Sequence, residues 1–217
     1  MAWEPDYITA TEFKNYVRIS NPNDTLDDQL IPVWITAASR AVDRCCSERQ
    51  NGMGARRQFG QTAAAEARYY TPRWDGELLR WVIEIDDVED PTGMTIEVDT
   101  GNTGVYNSVI TDFTLRPRNA LLRKRVYTQI AVSSLSSVQP TYFVDSAKVT
   151  VKWGWIAYPT TIKEATFIQT HRFSKRRQSP LGTTGSPQKG TEQQLFEDVD
   201  PDIKLMLQPY VKLGWTP

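Results

Sequence analysis

Between Ala67 and Tyr158 the hydrophobic pattern changes period, and this change constrains the fold more than any other feature of the chain. On either side, apolar residues recur every three or four positions, the spacing of one helix face. Inside it, short runs rich in branched and aromatic residues alternate with turn sequences, which is how strands read. ARYYTP, LLRWVIEID, TIEVD, VYNSVI, RVYTQIAVSS and AKVTVKWGWI are the strand candidates, and TGNTG between the third and fourth is a tight-turn sequence. A chain that segregates its two periods in this way is expected to fold as α+β. The expectation is a small helical bundle of three to four helices, with a β-rich insertion and an extended C-terminal arm. Residues 1–50 and 159–178 are read as the bundle core and 51–158 as the insertion. Residues 179–199 are read as a flexible linker and 200–217 as a docking arm.

The helical flanks carry their own start and stop signals. Thr9 and Glu12 have capping-box spacing before EFKNYVRI, whose Phe13, Tyr16 and Val17 share a face. Asp24 or Thr25 caps a longer stretch ending in Cys45-Cys46. Leu26, Leu30, Val33, Ala37 and Ala41 fall on one side of it, with Ile31, Ile35, Ala38, Val42 and Cys46 beside them. A helix so apolar around its circumference is expected to be covered on two sides. Pro32 interrupts it. In a helix interior proline removes a hydrogen bond and clashes one turn back, costing about 3 kcal/mol. Either a kink or a start displaced toward Ile31 is expected.

Pro159 opens the next helix. Thr161 and Glu164 repeat the capping-box spacing, and Ile162, Ala165, Thr166, Gln169 and Phe173 share a face. Arg172, Lys175, Arg176 and Arg177 set positive charge at the negative end of the helix dipole, before Ser179-Pro180 and Gly182 break the pattern. SPLGTTGSPQKGTEQQ follows, a composition that buries little and reads as a tether. Asp200 then caps a short helix with Pro201 at its first position, and Ile203, Met206, Leu207 and Tyr210 repeat at i, i+3, i+4, i+7. A helix this short is marginal in water alone, so its apolar face is expected to dock, on another subunit or on its own domain.

Enzyme chemistry finds little footing. His171 is the only histidine, and the only cysteines are the neighbours Cys45 and Cys46, so no cluster for a zinc site is present and His171, inside a helix pattern, is the only imidazole that could serve a catalytic Ser or Thr as base. The adjacent thiols are poorly placed to bridge each other and read as buried groups of a reducing compartment. No phosphate-binding or nucleophile-elbow motif occurs. Asp86, Asp87, Glu89 and Asp90 read as a solvated turn before Pro91-Thr92-Gly93 rather than as a cation site, and VDTGNTG reads as a hairpin turn rather than as a calcium loop. No catalytic residue, cofactor or metal is expected. Two basic clusters remain, Arg123-Lys124-Arg125 and the Arg172–Arg177 helix end; both suit phosphate contacts or solvated or interface charge. The net charge of −1 gives no global basic surplus. No apolar run approaches the roughly 18 residues that span a bilayer, and MAWEPDYITATEF lacks the regions of a secretory signal.

Taken in order along the chain, YITATEFKNYVRI, AASRAVDRCC, RQFG, EARYY, IDDVEDPTGMTIEVD, LRPRNA, IKEATFIQTHRFSKRRQSPLG and DPDIKLMLQPY resemble the head-tail adaptor (connector) proteins of long-tailed bacteriophages, most closely those of actinobacteriophages. The resemblance implies structural work rather than catalysis. Family members form a ring, usually twelvefold, beneath the portal vertex, extend the DNA channel and present a surface to the stopper. Carried over, Ile203, Met206, Leu207 and Tyr210 would dock on the portal, tethered by 179–194. Arg172, Lys175, Arg176 and Arg177 would contact DNA or neighbouring subunits. Partners would be the portal protein, the stopper or neck protein, further copies of the chain and viral dsDNA met without sequence preference, with no membrane. The protein would be made in the host cytoplasm and end in the virion neck. Two readings stay open beside it: another neck or tail ring subunit such as a stopper or tail terminator, and a DNA-binding protein using the basic helix end.

Overall fold

A computed structural model describes residues 5–17, 27–47, 57–176, 183–184, 193–194 and 199–211. The chain divides into two compact units. One combines Met1–Arg57 with Tyr158–Pro217, and the other is Gln58–Ala157.

The first unit is helical: α1 (Ala10–Tyr16), α2 (Ile31–Cys46), α3 (Thr160–Arg176) and α4 (Pro201–Leu207). The capping box of α1 forms, with Thr9 and Glu12 satisfying each other's backbone ends. α2 starts at Ile31, so Pro32 sits in the first turn, where a missing N–H costs nothing. The proline therefore sets the start of the helix rather than a kink. Ile31, Ile35, Ala38, Ala41, Val42 and Cys46 are buried along one side of α2. α3 begins two residues earlier than the Thr161 cap would set it, and Glu164 accepts a hydrogen bond from Tyr16 Oη at 3.5 Å. Its buried face is partly polar. Thr166 and Thr170 donate back to the carbonyls of Ile162 and Thr166, at 2.8 and 2.7 Å, which satisfies hydroxyls that have no access to water. Ile8, Phe13, Ile31 and Ile35 form a small core against which Trp34 and Phe167 pack. The segment before α1 is held to α2: Tyr7 N–H donates to Ser39 Oγ at 3.3 Å, Tyr7 Oη to Asp43, and Arg40 Nη2 to the Pro5 carbonyl at 2.6 Å.

The second unit consists of two antiparallel sheets. The strands are β1 (Glu66–Tyr70), β2 (Arg73–Asp75), β3 (Arg80–Val88), β4 (Thr95–Val98), β5 (Ser108–Val109), β6 (Phe113–Arg116), β7 (Tyr127–Ser133) and β8 (Ala147–Val151). They pair in the orders β1-β8-β4-β5 and β2-β3-β7-β6. Ile83, Ile85 and Ile130 from one sheet and Ile96, Val98 and Val149 from the other lie in a single buried cluster, capped by Trp153. The β3–β7 register shifts between Glu84 and Val88, and at that bulge Asp87 and Val88 are buried in succession. After β8 the chain turns through Trp153-Gly154-Trp155. Trp153 carbonyl accepts from Thr62 N–H at 2.8 Å, Gly154 N–H donates to Asp87 O at 2.6 Å, and Trp155 N–H donates to Gln58 O at 3.3 Å. The two ends of the unit are thereby tied to each other.

The expected bundle with a β-rich insertion is overturned. The structure is mixed, about 32% helical and 24% strand, and its β residues form two four-stranded sheets around their own core. Only α2 and α3 are long; α1 and α4 have 7 residues each, too few to build bundle walls. The extended arm is also corrected, because α4 packs against α2 and α3. Most of 179–199 lies outside the described residues. Within it, β9 (Thr183–Thr184) and β10 (Gln193–Gln194) pair antiparallel.

Candidate functional site

The α4 residues read as a docking face are turned onto their own unit. Asp200 caps the helix, accepting from Asp202 N–H at 3.0 Å. Ile203 and Leu207 are fully buried, while Met206 and Tyr210 are half-buried. Arg57 Nε donates to the Tyr210 carbonyl at 2.8 Å, fastening the end of the segment. Leu205 is the large apolar residue that α4 leaves outward.

The basic end of α3 is less available than four charges within six residues suggest. Arg172 is mostly buried and faces Asp200 at 3.6 Å. The Arg176 guanidinium lies 5.4 Å over the Phe173 ring. Lys175 is exposed, and Arg177 lies outside the described residues. His171 has a lowered pKa, from burial first and then from Lys175, so it is neutral near pH 7; its Nδ1 has no hydrogen-bond partner. No carboxylate or nucleophile is paired to it among the described residues.

The acidic groups are structural. Asp86 accepts from Arg68 Nη1 at 2.6 Å and from Tyr70 Oη at 2.9 Å. Burial, reinforced by Asp86, raises the Tyr70 phenol far above its ordinary pKa. Asp87 accepts from Trp155 Nε1 at 3.1 Å, Glu89 from Ile156 N–H at 2.7 Å and Asp90 from Thr92 N–H at 2.9 Å. Asp99 closes the VDTGNTG turn by accepting from Gly101 and Gly104 N–H at 3.0 and 2.6 Å. Each carboxylate is engaged by its own neighbours, and no metal-ligand cluster occurs among the described residues. Cys45 and Cys46 form no disulfide.

What stands out is exposed apolar surface. On α2, Leu30, Val33 and Ala37 lie uncovered, with Val33 61% exposed, although the sequence pattern led to the expectation of cover on this side. Leu26, the first residue of that stripe, lies outside the described residues. In the β unit, Leu121 and Leu122 are exposed between the cations of the β6–β7 connection, and Leu78, Leu79 and Leu135 are exposed at strand turns. Arg123, Lys124 and Arg125 stand out in the sequence as a basic cluster, whereas the leucines do not. A pair of leucines within a turn carries no period, so only the fold exposes them. No family model, curated protein or solved structure matches the chain.

Proposed function

We propose that the chain is a structural subunit of a phage neck. In this reading it forms a ring beneath the portal, extends the DNA channel and joins the capsid to the stopper and tail. The observation that supports it best is the uncovered stripe of Leu30, Val33 and Ala37 on α2. The opposite side of the same helix is fully packed, so the stripe is spare apolar surface of the kind that another subunit covers. Asp86, Asp87, Glu89 and Asp90 each accept hydrogen bonds from their own surroundings, which supports a structural role for that turn over a hydrolase built on it. The twelvefold count, the portal and stopper partners and the passage of viral dsDNA rest on the resemblance of the sequence. Ile203 and Leu207 reach a portal only if α4 leaves its seat on α2 and α3. A DNA-binding role for the α3 end is the weaker reading, because Arg172 and Arg176 are engaged inside their own unit.

The test is electron microscopy and sedimentation of the chain alone and mixed with its portal protein. Rings are expected with the portal for the wild type. Val33→Asp, a change at an exposed position, is expected to leave the melting temperature within a few degrees and to abolish the ring. Absence of rings from the wild-type mixture would sink the reading.

A further inference from the structure

The sheet β2-β3-β7-β6 has two unlike ends. At one end, β6 leaves at Arg116 and β7 enters at Tyr127, and the connection between them carries Arg118, Arg123, Lys124 and Arg125. No acidic residue occurs between Asp112 and Asp145. None of these five cations has an ion pair among the described residues. Leu121 and Leu122 project among them, Leu122 being 86% exposed. The connection is ordered by its own bonds. Ala120 N–H donates to the Pro117 carbonyl at 3.0 Å, Lys124 N–H to Leu121 O at 3.0 Å and Arg125 N–H to Ala120 O at 2.9 Å, while Ala120 and Val126 are buried as anchors. A partner meets this surface without having to order it first.

The other end has the opposite sign. There β2 turns into β3 through Asp75-Gly76-Glu77-Leu78-Leu79, β7 ends beside it, and β6 begins after Asp112. Leu79 is 63% exposed and Leu135, just beyond β7, is 91% exposed. Asp75 is used in its own turn, accepting from Glu77 and Leu78 N–H at 3.0 Å each, and Arg80 Nε is held on the Leu78 carbonyl at 3.2 Å. The carboxylates of Glu77 and Asp112 are exposed with no ion pair among the described residues. The 9 residues of β3 separate the two ends by roughly 25 to 30 Å at strand rise. They do not meet within one copy.

We infer that these ends are the two halves of one contact between copies of this chain: the basic Leu121-Leu122 connection of one copy seats on the acidic Leu79 and Leu135 end of the next. A nucleic-acid backbone would match the cations but leave both leucines in water. A second copy matches charge with charge and apolar surface with apolar surface. The two halves are different surfaces, so the contact is head-to-tail, and head-to-tail contacts close into rings when the rotation allows. The inference rests on the ring reading above for its occupant and adds the surfaces that meet.

A charge exchange tests it. One variant carries Glu77→Lys and Asp112→Lys; the other carries Arg123→Glu and Arg125→Glu. All four positions are exposed, and each variant's circular dichroism and melting curve provide the folding control. Labelled and unlabelled copies are mixed at low salt and treated with a carbodiimide, which joins touching amines and carboxylates, and the joined peptides are identified by mass. The wild type is expected to join Lys124 of one copy to Glu77 or Asp112 of another. Each variant alone is expected to lose that product by roughly tenfold or more, because like charges then face each other. Mixing the two variants is expected to restore coupling, now between position 77 or 112 and position 123 or 125. Absence of the wild-type product, or equal association by every variant, overturns the inference. So does retardation of short duplex DNA by the wild type and not by the Arg123→Glu, Arg125→Glu variant, which would assign the loop to phosphate. If Val33→Asp abolishes rings while the charge exchange changes nothing, the ring reading stands and this contact falls. If the wild type forms no ring with the portal, the ring reading itself falls.

Discussion

At the scale of single residues, Gly154 is the position where side-chain freedom runs out. Its φ is +102°, and a Cβ built there would lie 2.0 Å from the Gly60 carbonyl oxygen. Both objections concern backbone, so no rotamer change relieves them. Gly154→Ala is expected to destabilise the β unit by about 3 kcal/mol or more, from the strained φ together with the forced separation of the two strands of chain. Urea denaturation followed by tryptophan fluorescence reads this directly, since Trp153 and Trp155 flank the site. A midpoint equal to the wild type's would show that the 58–62 segment is not clasped there. The Arg68 guanidinium adds a second constraint, lying 4.7 Å over the Trp153 ring while bonded to Asp86 and, at 2.9 Å, to Gln58 Oε1. None of this is legible in WGW as a string. The string predicts a strand, but β8 ends at Val151 and Gly154, three residues on, takes a left-handed backbone against Gly60.

Among elements, the helices were the most legible and their surroundings the least. The Thr9–Glu12 box and the Asp200-Pro201 start are local chemistry, and local chemistry is written in neighbouring residues. Thr161 and Glu164 show the limit: the spacing is right, but the helix begins at Thr160 and Tyr16 competes for the carboxylate. Which side of α2 is covered depends on neighbours distant in sequence, and periodicity alone marked both sides. α4 is the sharpest case, because a short apolar-faced helix after a tether reads equally as docking on another subunit or on its own domain. Its burial decides for a seat on its own unit. Ile203→Ala is therefore expected to lower the stability of the helical unit by about 2 to 4 kcal/mol, from lost transfer energy and the cavity left behind. Thermal and urea unfolding measure it. A variant as stable as the wild type would mean that α4 spends its time undocked.

For the whole molecule, the segregated periods marked both helix and strand in the chain, but not the partition of the core, which overturned the expected bundle. The β-rich middle was expected to decorate a bundle. It has its own cluster, to which both sheets contribute Ile and Val side chains together with Trp153 just beyond β8. A fragment of residues 58–157 is accordingly expected to fold by itself and to unfold cooperatively. Far-UV circular dichroism and amide-proton dispersion would show it, and a fragment without dispersed resonances would show that the sheets need the helical residues. The hydrogen bond between Trp155 N–H and the Gln58 carbonyl has a further consequence for the order of events in folding. The entropy of closing a loop grows with the length of free chain between its ends. Once the sheets have formed, the chain between α2 and α3 is no longer a long loop with wandering ends but a short bridge of fixed span. The cost of bringing those two helices together then falls from that of the whole intervening chain to that of its flanks, residues 47–57 and 156–159. Folding of the sheets first would thus speed folding of the helices while adding nothing to their final stability.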